Sequence, residues 1–180
     1  MKAGIFDLDG TLIDSMWLWE NLADNYLLSI GIEPPKDLGE SLKELTLEES
    51  TFYMKKRFKL KSTPCEIKRD IEKILADYYA NRFQLKPYVL ETLEEFKKRN
   101  IKLIIATATD EHLVSMVLDR HGIKDYFEFI QTSDNTGLSK GQPKFFQIAI
   151  NSLGLGPQDI WVFEDALHCI LSAKKCGLNV

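Results

Sequence analysis

Residues 3–6 are small or apolar and run into Asp7-Leu8-Asp9-Gly10-Thr11. A short apolar run that ends in a polar, glycine-containing turn predicts a buried strand delivering Asp7 at its carboxyl end. From about Ser15 the period changes. Trp19, Leu22, Ala23, Tyr26, Leu27 and Ile30 recur at helical spacing and Gly31 follows as a stop, which predicts one helix. After Pro34-Pro35, Thr46 and Glu49 form a capping-box pattern ahead of Phe52, Tyr53 and Phe58. A second box, Thr63 with Glu66 and with Pro64 at the first helical position, opens the run of Ile67, Ile71, Ile74, Leu75 and Tyr78. Beyond Pro87 a helix bearing Val89, Leu93 and Phe96 leads to a strand over 102–106, and a helix bearing Leu113, Val114, Val117 and Leu118 stops at Gly122. A strand near 127–131, a helix over 143–153, a strand over 160–163 and a helix over 167–176 complete the series.

Strands that alternate with helices predict an α/β fold built on a doubly wound, parallel, Rossmann-like sheet. The all-helical stretch over 15–85 is too long for a simple crossover and reads as an inserted helical domain, leaving 1–14 and 86–180 as the α/β core. Leu178-Asn179-Val180 falls where a further strand would begin, so a last strand and helix are expected to be absent.

Composition narrows the partners. The chain has 180 residues, 44% hydrophobic and 28% charged, which fits a folded domain and not a disordered one. A net charge of −4 gives no general attraction for nucleic acid or anionic lipid. The basic run Lys55-Lys56-Arg57 lies beside Tyr53 and Phe58 and reads as a solvated helix face. Three cysteines, Cys65, Cys169 and Cys176, form no Cys-x-x-Cys pair and suggest neither a disulfide framework nor a thiolate zinc site. Asp7 and Asp9 interrupt any leader-like apolar segment, and no later run approaches spanning length. The expectation is a cytoplasmic monomer with no membrane or nucleic-acid partner.

In open parallel sheets ligands bind beyond the carboxyl ends of the strands. There the sequence places Asp7 and Asp9, then Thr107 and Thr109, then Glu164 and Asp165, with Lys140 in the segment before the helix over 143–153. A lone Asp-x-Asp is often a turn device. Two acidic pairs converging on one crevice, however, repel one another unless a cation lies among them. With no His or Cys next to these strand ends, that cation is expected to be Mg2+ and not zinc. Thr107 and Lys140 add a hydroxyl and a positive charge suited to phosphoryl oxygens.

These segments resemble the signatures of the haloacid dehalogenase-like superfamily. Asp7-Leu8-Asp9-Gly10-Thr11-Leu12 looks like the first, Ile104-Ile105-Ala106-Thr107 the second, Lys140-Gly141-Gln142-Pro143-Lys144-Phe145-Phe146 the third, and Val162-Phe163-Glu164-Asp165 the fourth. All four occur in order across the chain. The resemblance implies a helical cap between the first two signatures, as in β-phosphoglucomutase-like enzymes and many small-molecule phosphatases. It further implies that Asp7 is a nucleophile forming an aspartyl-phosphate and Asp9 an acid/base. Thr107 and Lys140, with Gly10 and Ala108, would hold the phosphate of a small phosphorylated substrate. Asp7, the Asp9 backbone carbonyl and Asp165 would bind Mg2+, with Glu164 close by.

The third signature departs from its usual form at Ser139, Gly141 and Lys144. Mutases of the family carry a His and an Arg where Trp19 and Leu47 stand here, so a phosphatase is preferred over a sugar-phosphate mutase. Asp9 itself disfavours true dehalogenases and phosphonate-cleaving relatives. A phospho-accepting signalling module is the alternative of another class, and it would need Asp134 as acceptor after a central strand. Trp17 and Trp19 are expected to be core sooner than substrate contacts. His112, His121 and His168 have no metal-site spacing, and His121 before Gly122 suits a helix C-terminus.

Overall fold

The computed structural model describes residues 1–42, 45 and 47–180. They form two compact units, one made of Met1–Ser15 with Tyr79–Val180 and the other of Met16–Tyr78.

The first unit is built on four parallel strands: β1 (Ala3–Phe6), β2 (Lys102–Thr107), β3 (Ile130–Thr132) and β4 (Ile160–Phe163), in the order β3-β2-β1-β4. Parallel strands need covered faces, and β1 is buried at every residue. Side chains alternate across it. Ala3 and Ile5 join Ile104, Ala106, Ile160 and Val162 in a core shared with Phe145, Phe146, Ala149 and Ile150 of one helix and Cys169 and Ala173 of another. Those helices span Pro143–Leu153 and Leu167–Lys175. Phe6, on the opposite face, stacks on Phe163 with centroids 4.3 Å apart and meets Phe96 at 6.2 Å, on the helix Val89–Lys98. Gly4 leaves room for this cluster, because a Cβ there would lie 3.1 Å from Leu103 Cδ2 and 3.3 Å from Phe6 Cε2. Each fully buried aliphatic of this kind contributes about 1.5–3 kcal/mol. Asn179 continues beside β4, where its N–H donates to Ile160 O and its carbonyl accepts from Val162 N–H.

The second unit is helical. Among the described residues the α-helices, in chain order, are α1 (Met16–Glu20), α2 (Leu22–Ser29), α3 (Leu38–Leu42), α4 (Leu47–Arg57), α5 (Pro64–Asn81), α6 (Val89–Lys98), α7 (Glu111–His121), α8 (Ser133–Thr136), α9 (Pro143–Leu153) and α10 (Leu167–Lys175). The capping box of α5 forms: Glu66 Oε2 accepts from Thr63 N–H at 2.7 Å and Thr63 Oγ1 accepts from Glu66 N–H at 3.2 Å. Ile67, Ile71 and Leu75 then lie buried at four-residue spacing along one face. Thr46, the cap expected for α4, lies outside the described residues.

The pattern over 15–30 predicts a single helix, and the structure corrects this to two, α1 and α2, separated at Asn21. The Asn21 side-chain amide donates to Trp17 O at 2.7 Å while its N–H donates to Leu18 O. A short amide that bonds the preceding turn competes with the helical ladder, which apolar spacing does not register. The strand expected near 127–131 is instead Ile130–Thr132, although Glu128 N–H and Phe129 O already bond to Leu103 and Ile105 of the neighbouring strand. Lys55 and Arg57 are not simply solvated. Lys55 Nζ donates to Leu60 O and Ser62 O, and Arg57 pairs with Asp37 at 2.8 Å.

Candidate active site

β1 ends at Phe6, and the Asp7 N–H still bonds Phe163 O of β4 at 3.0 Å, so the strand register fixes where Asp7 points from. The chain then turns tightly. Leu8 O accepts from the N–H groups of Leu12 and Ile13, and Gly10 N–H donates to Ile13 O. Gly10 takes φ +83°, a left-handed value that glycine adopts without a Cβ penalty. This turn holds Asp7 and Asp9 in a fixed relation at the head of the sheet.

Lys140 arrives from the segment between α8 and α9. Its turn is closed by Gln142 N–H donating to Ser139 O, and tied down by Ser172 Oγ of α10 donating to Gly141 O. The ammonium lies 2.5 Å from Asp7 Oδ1 and 2.5 Å from Glu164 Oε2. All three side chains are at least nine-tenths buried. Asp7 Oδ2 is buried with no hydrogen-bond partner. Oxygens of Asp7, Glu164 and Asp165 all lie within 4.8 Å of one another, with Asp165 exposed at the rim.

The electrostatics follow from this crowding. Burial pushes the Asp7 carboxyl up to about 7; Lys140 pulls it back, while the carboxylates of Glu164 and Asp9 push the same way as burial. Burial alone would lower the Lys140 ammonium, but Asp7 and Glu164 outweigh it and keep the group charged. Two carboxylates share one lysine, and one buried carboxylate oxygen is left without a donor. An acid-rich cluster of this kind accommodates a further hard cation.

Asp9 is held differently. Its Oδ1 accepts from Ser15 Oγ and Tyr79 OH, each at 2.6 Å, and its Oδ2 accepts from Thr109 Oγ1 at 2.6 Å. Thr109 N–H in turn donates to the Oγ1 of Thr107, which is buried at the end of β2.

The structure therefore gathers Asp7, Lys140, Glu164 and Asp165 into one cluster, and joins Asp9 to Thr107 through Thr109 in an adjoining one. Gly10 lies in the turn between Asp7 and Asp9's partner Ser15, and Ala108 between Thr107 and Thr109. Sequence reasoning gave no role to Ser15 or Tyr79. Asp134, which the signalling alternative requires, lies in α8 after β3, the outer strand beside β2, and not after a central strand. Trp17, expected in the core, is instead 44% exposed, with its ring edge-on against Tyr78 at 5.4 Å. His121 is engaged at Phe83 O, 2.9 Å away. The cysteines are free, and no described helix is long and apolar enough to cross a membrane.

The sequence profile of the haloacid dehalogenase-like hydrolases matches residues 4–180. The chain belongs to that family and is a hydrolase of its kind. It is 25% identical over 179 residues to the phosphorylated carbohydrates phosphatase of Thermotoga maritima, covering 99% of this chain and 83% of that protein. It is 29% identical over 188 residues to the pyrophosphatase PpaX of Oceanobacillus iheyensis, covering 97% and 79%. A solved structure of a candidate beta-phosphoglucomutase from Thermotoga maritima superposes with a TM-score of 0.87 at 25% identity, covering 99% of this chain and 82% of that one. CbbY from Rhodobacter sphaeroides, solved with phosphate, shares the fold with a TM-score of 0.76 at 23% identity, covering 99% and 84%.

Proposed function

We propose that this chain is a magnesium-dependent phosphatase that hydrolyses a small-molecule phosphate monoester through a phosphoryl group carried on Asp7. The observation that carries the reading is the buried trio of Lys140, Asp7 and Glu164, with Asp7 Oδ2 left undonated and a carboxylate oxygen of Asp165 within 4.8 Å of oxygens of Asp7 and Glu164. The relatives named as phosphatases support the substrate class.

The donor set suits a hard divalent ion, since the side chains that come together are all carboxylates. Asp7 and Asp165 with the Asp9 main-chain carbonyl would hold magnesium, and Glu164 would stand next to it. When bound, the ion supplies charge neutralisation for phosphoryl oxygens.

The chain's own residues do the rest. Asp7 attacks phosphorus, the ester bond breaks, and the phosphoryl passes to its carboxylate; this splits one difficult displacement into two easier ones. Lys140, fixed by two carboxylates, meets an equatorial oxygen without having to reorganise, and the Thr107 hydroxyl donates to another. Asp9 gives its proton to the departing alkoxide, then takes one from the water that releases phosphate.

The test is phosphate release from a panel of sugar phosphates, nucleotides and small acid phosphates with magnesium present. The reading predicts turnover that EDTA removes and that Asp7→Asn lowers by at least about 10³-fold, the scale of losing a covalent nucleophile. Magnesium-independent turnover, or an Asp7→Asn variant as active as the native chain, contradicts it.

A further inference from the structure

Three hydroxyls from three separate parts of the first unit converge on one carboxylate. Ser15 stands at the end of the loop after β1, Tyr79 in the last turn of α5, and Thr109 two residues beyond β2. All donate to Asp9 at 2.6 Å, within the short range of hydroxyl-to-carboxylate bonds. All three residues are buried, Ser15 and Tyr79 completely. Two donors on Oδ1 and one on Oδ2 fix both the position of the carboxyl carbon and the plane of the group. One donor alone would leave that plane free to rotate.

Tyr79 is the member that needs an explanation. A phenol buried to 0% exposure cannot find bulk water, and its ring is locked edge-on against Phe83 with centroids 5.0 Å apart and planes at 90°. Packing therefore aims the hydroxyl, and it is aimed at Asp9. A phenylalanine would satisfy the same packing without a polar atom to bury. The hydroxyl's presence points to a task at Asp9.

We propose that Tyr79, together with Ser15 and Thr109, is a positioning residue that holds the Asp9 carboxyl where it can pass a proton to the leaving group. The inference rests on the phosphatase reading above and goes beyond it by assigning residues that the family's signatures do not contain. Proton transfer depends steeply on placement, so a loosened Asp9 is a slower acid even when still present.

The experiment compares two esters. p-Nitrophenyl phosphate releases a stable anion that needs little protonation, whereas an alkyl phosphate from the panel above releases an alkoxide that needs it. The quantity to read is kcat/KM, because it covers only the steps up to release of the alcohol and excludes later hydrolysis of the phosphoryl-enzyme. For Tyr79→Phe it falls about tenfold on the alkyl ester and less than about twofold on the nitrophenyl ester, a part of the 10²–10⁴-fold that general acid catalysis supplies. Thr109→Val behaves alike and serves in its place should Tyr79→Phe fail to give a native-like thermal melt. Equal losses on both esters, or no loss on either, overturn the positioning role while leaving the phosphatase reading intact. A native chain that hydrolyses neither ester overturns the phosphatase reading and the positioning role with it.

Discussion

Asp7 and Lys140 meet where water is nearly excluded, and the cost of that placement falls on Asp7. Its carboxyl is raised from the ordinary 3.8 to about 7 by burial, with Glu164 and Asp9 adding to the push against Lys140. The folded chain therefore keeps a proton that the unfolded chain gives up as pH rises from about 4 to about 7, so this group lowers stability across that window. Asp7→Asn carries no such proton. In EDTA, the melting temperature of Asp7→Asn relative to the native chain is expected to increase between pH 5 and pH 8, and scanning calorimetry at the two pH values reads it. A difference that stays flat or shrinks contradicts the burial argument. Lys140 has the opposite role, since Lys140→Met strands two buried carboxylates and should cost about 3–5 kcal/mol. Some of these residues announce themselves in the sequence and others do not. Asp7, Asp9, Thr107, Lys140, Glu164 and Asp165 stand at strand ends or in a long loop, where a charged or hydroxyl side chain is conspicuous. Tyr79 is hidden because it falls four residues after Leu75, in register with Ile71 and Ile67, and at that spacing an aromatic reads as core. Its ring is core; its hydroxyl is not.

Among the elements, those with strong periodicity or explicit caps were legible. Residues 3–6 and 160–163 are strands as read, and Thr63 with Glu66 opens α5. What escaped depends on short polar side chains. Asn21 divides the first helix, and Thr132 with Asn135 forms a complete capping box for the one-turn α8 that no apolar pattern advertises. One element also carries visible strain. Tyr88, the residue before α6, has φ +66° and is 77% exposed. A non-glycine residue held there costs about 1–2 kcal/mol, and an exposed ring recovers little of it. Tyr88→Gly is expected to raise the melting temperature by roughly 2–4 °C for a chain of this size. A lower melting temperature would mean that the ring stabilises this corner by more than its backbone costs.

At the scale of the molecule, parallel topology explains why the proposed chemistry centres on one strand. β1 lies between β2 and β4, so Asp7 leaves the sheet with Thr107 at the end of one neighbour and Glu164 just past the end of the other. Alternation of strand and helix foretold that arrangement; the order β3-β2-β1-β4 was not itself written in the apolar pattern, because pairing partners are chosen by packing across the sheet. Magnesium should bind this assembled site and not the unfolded chain. At about 100 times its dissociation constant it would stabilise the fold by about 2.7 kcal/mol, read as a melting shift that Asp165→Ala diminishes. An equal shift in that variant would place the ion elsewhere.

The central claim is that Asp7 carries the phosphoryl group, and acid quenching with peptide mass spectrometry tests it most directly. The chain is mixed with a turned-over ester and magnesium, stopped in acid within the first turnover, and digested. The account predicts a phosphoryl group on the peptide containing Asp7, removed by hydroxylamine and absent from Asp7→Asn. Turnover at the native rate with no modified Asp7 peptide, or with the phosphoryl on another residue, would contradict it.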